Sequence, residues 1–160
     1  MSLHLDIQSA CSDPAPDEGD LRDWIAAALD SQAPRGETEI CVRLVGEVEM
    51  SVLNETYRGK AGPTNVLSFP CDLPRELGLP LLGDIVICAP VVIAEATGQG
   101  KNLSAHWAHM AIHGTLHLLG YDHIEEEEAA LMEALESNIL QHLDYPCPFR
   151  GEPSQACVTK

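Results

Sequence analysis

Three histidines have the types and the spacing that binding of one metal ion requires. His113 and His117 are four residues apart, and His123 follows six residues later. Residues i and i+4 share one face of a helix with Cβ atoms about 5–6 Å apart, so both imidazoles can reach a cation at about 2.0–2.1 Å. Gly120 can adopt a positive φ and end that helix, which lets His123 approach the same ion from outside it. The pattern predicts one ion held by three histidines.

A three-histidine site predicts catalysis rather than a purely structural metal. Three neutral imidazoles leave one coordination position open for water, whose pKa the ion lowers towards about 7. They also leave the charge of the ion unquenched, which favours an anionic substrate. Zn²⁺ is the expected ion, and nickel, copper and iron are alternatives that such a site accepts. We interpret His106 and His109, on nearby turns, as supporting or packing residues rather than ligands.

The same spacing also occurs in the long metzincin protease motif, HExxHxxGxxH. The general base in that motif is a glutamate directly after the first histidine, where this chain has Gly114. Glycine neither accepts nor delivers a proton, so peptide hydrolysis by this route is the least favoured function. We interpret the acidic run at residues 125–128 as a solvated helix start rather than a displaced base.

The charge of the chain limits the kinds of partner that it can bind. The 160 residues include 9 Lys and Arg against 25 Asp and Glu, a formal charge of −16 at pH 7. Non-specific nucleic-acid binding depends on many Lys and Arg residues, so this charge argues against a broad phosphate-binding surface. If RNA is the substrate, the attraction must be local, from bound cations together with Arg58 and Lys60.

Further features of the sequence predict a location in the cytoplasm. The first 20 residues have neither a basic start nor a long apolar run, and no apolar stretch reaches the roughly 20 residues that a membrane-spanning helix needs. Six scattered cysteines without a CxxC pair predict reduced thiols. Cys41 and Cys88 lie in apolar runs and are expected to be small core residues.

The apolar patterns predict short strands and longer helices in one domain, residues 1–143, followed by an irregular tail, residues 144–160. A glycine-rich phosphate loop and a sustained βαβ alternation are both missing from the sequence, so an α+β fold is favoured over a parallel doubly wound one. The predicted strands cover residues 3–9, 38–46, 66–69 and 81–88, and the predicted helices begin near Asp20, Glu47, Pro90, Leu103 and Glu125.

Three segments together resemble one known family. HGTLHLLGYDH, residues 113–123, resembles the signature of the YbeY family, which consists of single-strand-specific endoribonucleases involved in ribosomal RNA maturation. LNETYRGKAGPTNVLSFP, residues 53–70, and LGDIVIC, residues 82–88, resemble the other signature blocks of that family in the expected order. The resemblance covers about residues 38–143. It implies an α+β fold with a small mixed sheet of about four strands, about five helices and a zincin-like helix that carries the metal motif.

The resemblance also implies roles for individual residues. His113, His117 and His123 are the metal ligands, and His113 and Arg58 are the residues expected to take part in catalysis. The expected mechanism has the ion polarising a scissile phosphate or activating water while Arg58 stabilises charge on the phosphoryl oxygens. The residues do not choose between water and the ribose 2′-hydroxyl as nucleophile. Asn65 and Cys88 depart from the family pattern, in which aspartate and serine are common, and neither touches the metal motif.

The implied biological role is 16S rRNA 3′-end processing and ribosome quality control, with single-stranded RNA or rRNA as substrate. An alternative is an assembly factor that binds the small ribosomal subunit or a basic ribosomal protein and uses the metal mainly for stability. The acidic composition suits a basic partner of this kind.

Overall fold

The computed structural model describes residues 2–32, 36–71, 77, 80–121 and 124–146. Within these ranges the chain forms four strands and five helices, which confirms the predicted α+β class. The strands are β1 (Ser2–Ser9), β2 (Glu37–Val45), β3 (Val66–Pro70) and β4 (Leu81–Cys88), and the helices are α1 (Glu18–Asp30), α2 (Glu47–Arg58), α3 (Ala89–Gln99), α4 (Leu103–Leu118) and α5 (Glu126–His142).

The four strands form one mixed sheet in the order β1-β2-β4-β3. β2 pairs in parallel with both β1 and β4, whereas β3 pairs antiparallel with β4. β3 therefore lies at the edge of the sheet, and one side of its backbone is not used for pairing within the sheet.

α4 is the central helix of the fold. It contacts β3, β4, α1, α3 and α5, so its side chains are buried on most sides. Trp107, Ile112 and Leu116 are at most 2% exposed and belong to the main core. A helix enclosed in this way holds its polar residues in fixed positions, because moving them would disturb a close-packed interior.

A smaller core lies between the sheet and α2. Its buried members come from β2, α2, β3 and β4, and Leu53, Phe69 and Val91 pack against them. This second core fixes the end of α2 next to the edge strand β3. The buried members are Val45, Met50, Leu67, Val86 and Cys88.

Two details differ from the sequence-based expectation. α1 begins at Glu18, and the carboxylate that caps it belongs to Asp17, which accepts a hydrogen bond of 2.9 Å from the Asp20 N–H. Cys88 is fully buried as expected, but Cys41 is only half-buried on the open face of the sheet. Burial raises the pKa of the Cys41 thiol, and the carboxylates of Asp84 and Asp6 raise it further.

No helix in the described part of the chain is both long enough and apolar enough to cross a membrane.

Candidate metal centre

α4 presents His113 and His117 side by side. Their Nε2 atoms are 3.1 Å apart, and both side chains are partly accessible. A tetrahedral ion with bonds of about 2.0–2.1 Å places its ligand atoms about 3.3 Å apart, so the pair is already close to the separation that shared coordination requires. Without an ion, the same distance suits a hydrogen bond in which one Nε2–H donates to the other Nε2. The donor set therefore fits a transition-metal ion.

The helix ends directly after this histidine pair, as the sequence predicted. Gly120 has a φ of +105°, which favours glycine, and its N–H donates to the His117 carbonyl at 3.0 Å. The Tyr121 N–H donates to the Leu116 carbonyl at 3.1 Å, which closes the turn. His123 lies outside the described residues, so its role as third ligand stays a prediction.

A buried carboxylate from α5 lies behind the pair. Nδ1 of His113 donates to Oε2 of Glu136 at 2.5 Å, and Nε2 of His109 lies 3.3 Å from the same oxygen. Burial raises the pKa of Glu136, but hydrogen bonding from His109 and His113 outweighs this effect and lowers the pKa to about 2. An ionised Glu136 accepts this hydrogen bond and so keeps a proton on Nδ1 of His113. The lone pair of Nε2 is then directed at His117.

His109, His113 and Glu136 also form a group that could itself hold a metal ion, because their potential ligand atoms all lie within 4.8 Å of one another. Two ligand atoms of one such ion are about 3 Å apart or more, whereas His113 Nδ1 and Glu136 Oε2 are 2.5 Å apart. Glu136 is 2% exposed and His109 is 8% exposed, so both side chains are largely inaccessible to a substrate. The Nε2 atoms of His113 and His117 belong to partly accessible side chains, and Glu136 accepts a hydrogen bond from Nδ1 of His113 behind them.

Sequence reasoning missed Glu136, although α5 contains a signal for it. Met132 and Leu140 are buried and lie four residues before and four residues after Glu136, so the glutamate occupies the apolar stripe of the helix. A charged residue in a buried stripe needs a compensating partner. That requirement points to the histidines of the neighbouring helix.

The histidine pair opens into a cleft of about 920 Å³ that runs along β3. Arg58, the last residue of α2, is exposed and reaches the same cleft from the opposite side of β3. No carboxylate among the described residues lies within ion-pair distance of Arg58, whereas Arg22 and Arg43 pair with glutamates. The cleft is lined by Arg58, Thr64, Asn65, Val66, Leu67, Ser68, Pro70, His109, Met110, His113, His117, Gly120, Tyr121, Ile124, Ala129, Met132, Glu133 and Glu136.

His106 has a different partner from the other histidines of α4. Its Nε2 lies 2.9 Å from Oε1 of Glu95 on α3, and Asn65 Nδ2 donates to both oxygens of that carboxylate at 3.1 and 3.2 Å. Burial lowers the pKa of His106, although the bond to Glu95 opposes this effect. His106 thus ties α4 to the start of β3, and does not face the His113–His117 pair.

Gly114 faces the sheet rather than the cleft. A Cβ at this position would lie 2.9 Å from Ile85 Cγ2, and the Gly114 carbonyl accepts a hydrogen bond of 2.9 Å from Ser68 Oγ. A glutamate here would have to displace buried β4 side chains before it could reach an ion. The packing of α4 on the sheet therefore explains why residue 114 is a glycine. The same packing leaves no room for the glutamate that acts as general base in the metzincin motif.

Gly114→Ala should lower the free energy of unfolding by about 1–3 kcal/mol, the usual effect of overpacking a core. Helix propensity alone predicts the opposite sign, a gain of up to about 1 kcal/mol. Gly98→Ala is the matched control, since Gly98 lies in α3 and a Cβ there meets nothing within 4 Å. Urea unfolding of both variants measures the difference. Equal stabilisation by the two alanines would contradict the close contact between α4 and β4.

The fold and the cleft define an α+β protein whose histidine-rich helix could hold a metal ion. A family model described as "Endoribonuclease YbeY" matches residues 7–144. A protein of that name from Pseudomonas syringae pv. tomato is 54% identical over 153 residues, with 95% of this chain and 91% of the relative covered. Its namesake from Stutzerimonas stutzeri is 51% identical over 159 residues, with 99% and 98% covered. The chain belongs to the YbeY endoribonuclease family.

A solved structure shares the fold. The solution structure of a Thermotoga maritima protein superposes with a TM-score of 0.55 at 24% identity, covering 88% of this chain and 91% of the other. At this identity the comparison supports the architecture alone.

Proposed function

We propose that this protein is a metal-dependent endoribonuclease that cleaves single-stranded RNA. The observation that carries the proposal is the Nε2–Nε2 distance of 3.1 Å between His113 and His117, in a cleft that also holds Arg58. A cation site and a guanidinium in one cleft suit an anionic phosphodiester. The relatives, which bear the name endoribonuclease, support RNA as the substrate.

In this proposal the ion, Zn²⁺, is held by His113, His117 and His123. When bound, it supplies positive charge that polarises the scissile phosphate or water. His113 takes part in catalysis by holding the ion, and Glu136 keeps the His113 proton on Nδ1. Arg58 binds a phosphate through its planar fork of N–H donors and stabilises the charge that develops on the phosphoryl oxygens.

The charge distribution supports a local mode of RNA binding. The chain carries a charge of −16, so most of its surface repels phosphates. Arg58 and Lys60 are exposed, and no carboxylate in the described ranges pairs with either. A flexible single strand can bring one phosphate to this place without laying a long duplex against the acidic surface.

We propose a role in ribosome biogenesis, in 16S rRNA 3′-end processing and ribosome quality control. We propose that the protein acts in the cytoplasm and that residues 1–143 form the single domain that carries the activity. Membership of a family described as endoribonucleases supports the RNA cleavage that this role requires. A basic ribosomal protein is the proposed partner, because exposed carboxylates share one region of β1, β2 and β4. These are Asp6, Glu37, Glu39 and Asp84.

A substrate comparison tests the function. Single-stranded RNA, duplex RNA and an unfolded protein are each incubated with metal-free protein, with metal-restored protein and with His113→Ala. We expect cleavage of the single strand by the metal-restored protein alone. Cleavage of the unfolded protein would favour a protease. Ribosome binding without cleavage, retained in His113→Ala, would favour an assembly factor.

Arg58→Ala should keep its metal and its fold but cleave single-stranded RNA at least about 10-fold more slowly, the effect of losing about 1.4 kcal/mol of transition-state stabilisation. Arg58→Lys should restore only part of the rate, since lysine keeps the charge and loses the forked geometry. Lys101→Ala removes one charge outside the cleft lining and serves as control. A wild-type rate in Arg58→Ala with full metal content would exclude Arg58 from the mechanism.

A further inference from the structure

The last turn of α2 presents an aromatic ring to solvent. The side chain of Tyr57 is 64% exposed, whereas Trp24 and Trp107 are buried and the other described aromatic residues are at least half-buried. An aromatic ring exposed to this extent contributes little to the core, and its face is accessible to a planar ligand. The Tyr57 ring contacts Phe69 edge to face, with centroids 5.0 Å apart and an interplanar angle of 69°. That contact orients the ring while most of it stays accessible.

The turn that carries Tyr57 is held by hydrogen bonds. Gly59 is left-handed with a φ of +68°, its N–H donates to the Glu55 carbonyl at 3.1 Å, and the Lys60 N–H donates to the Asn54 carbonyl. The Asn54 side chain donates to the Gly62 carbonyl at 2.9 Å and secures the chain that follows. Tyr57 and its neighbour Arg58 therefore lie on a fixed helix end rather than on a frayed one.

A chain of contacts connects the ring to the metal helix. Phe69, the partner of Tyr57, follows Ser68, and the Ser68 hydroxyl donates to the carbonyl of Gly114, the residue after His113. Arg58, the residue after Tyr57, lines the cleft with His113. Neither Tyr57 nor Phe69 is among the residues that line the cleft, so the ring lies next to Arg58 in the chain rather than inside the cleft.

We propose that Tyr57 is a stacking subsite for one nucleobase of single-stranded RNA, next to the phosphate that Arg58 binds. This inference rests on the proposed endoribonuclease function and explains its preference for single strands, because the bases of a duplex already stack on one another. An aromatic platform beside a cation is the combination that single-strand-binding proteins use. The nucleobase and the tyrosine ring are both neutral, so the negative charge of the protein does not weaken the contact between them.

The experiment combines a tyrosine substitution with RNA that lacks one base. Tyr57→Ala, Tyr57→Phe and Val52→Ala are compared, Val52 being another exposed residue of α2. Binding to a fluorescent single-stranded 2′-O-methyl oligonucleotide gives Kd by anisotropy, and cleavage of the matching RNA gives kcat and KM. Each strand is also made with a single abasic position moved stepwise along it. Thermal unfolding checks that each variant is folded.

We expect Tyr57→Ala to weaken binding and raise KM about 10-fold, within the range reported for stacking of one base on an aromatic residue. Tyr57→Phe and Val52→Ala should behave as wild type. One abasic position should weaken wild-type binding by a similar factor and cause no further loss in Tyr57→Ala. The loss in Tyr57→Ala should persist at high salt, whereas the loss in Arg58→Ala should shrink.

The two proposals fail in different ways. Three results would overturn the stacking subsite while RNA cleavage still supports the nuclease. Tyr57→Ala could bind RNA as wild type does, or Tyr57→Phe could lose as much affinity as Tyr57→Ala. The loss of affinity from Tyr57→Ala could also add to the loss from the abasic site at every position. Tyr57-dependent binding without cleavage by the metal-loaded protein would keep the subsite and overturn the nuclease. Absence of both binding and cleavage would overturn both.

Discussion

His117→Ala should reduce the bound transition metal from close to one ion per chain to a small fraction of that amount, and RNA cleavage should be lost with it. The Nε2 atoms of His113 and His117 face each other at 3.1 Å, and removing one imidazole takes away a ligand that the remaining side chains cannot replace. Elemental analysis of the purified protein gives the metal content. Circular dichroism shows whether the variant is folded.

Two further histidine variants make this measurement specific. His142→Ala should keep its metal, because His142 is exposed at the end of α5 and bonds to the Asn138 carbonyl. His109→Ala separates the two possible ligand sets. If His109, His113 and Glu136 were the ligands, His109→Ala would lose the ion and His117→Ala would keep it. Full occupancy in His117→Ala would refute the assignment made from the Nε2 pair.

The parts of the fold that depend on local sequence were predictable. Short apolar segments, alternating only in residues 3–9, identified the strands, and the i, i+4 spacing of His113 and His117 placed both on one helix face. Gly120 marked the helix end because few other residues adopt its φ of +105°. These features depend on residues that are close together in the sequence.

Contacts between distant segments were not predictable in the same way. Glu136 lies 23 residues after His113, and nothing local shows that α5 packs against that face of α4. The contact of Gly114 with Ile85 depends on the distance between α4 and β4, which the sequence does not state. Tyr57 meets Phe69 only because the second core places α2 against β3. Tertiary packing decides each of these contacts.

Glu136→Gln should weaken metal binding by about 10- to 100-fold, the usual effect of losing a residue that orients a metal-binding histidine. In the present arrangement the carboxylate accepts a hydrogen bond from His113 Nδ1 and also faces His109. Glutamine has nearly the same shape as glutamate but only one side-chain oxygen. Its NH₂ group could therefore take the position next to His113 Nδ1 that Oε2 of Glu136 holds. Where that NH₂ group donates to His113 Nδ1, the proton of His113 moves to Nε2 and blocks the lone pair that the ion needs.

A chelator competition titration measures the affinity, and ¹⁵N spectra of the imidazoles in the metal-free protein report the position of the His113 proton independently of activity. Glu133→Gln is the matched control, since Glu133 lies one turn earlier on α5 and lines the same cleft. We expect Glu133→Gln to bind metal as wild type does, with the His113 proton on Nδ1. A positioning role predicts weakened but stoichiometric binding in Glu136→Gln, together with a shifted tautomer of His113. Complete loss of the ion would instead make Glu136 a ligand, and unchanged affinity with an unchanged tautomer would leave it only a packing role.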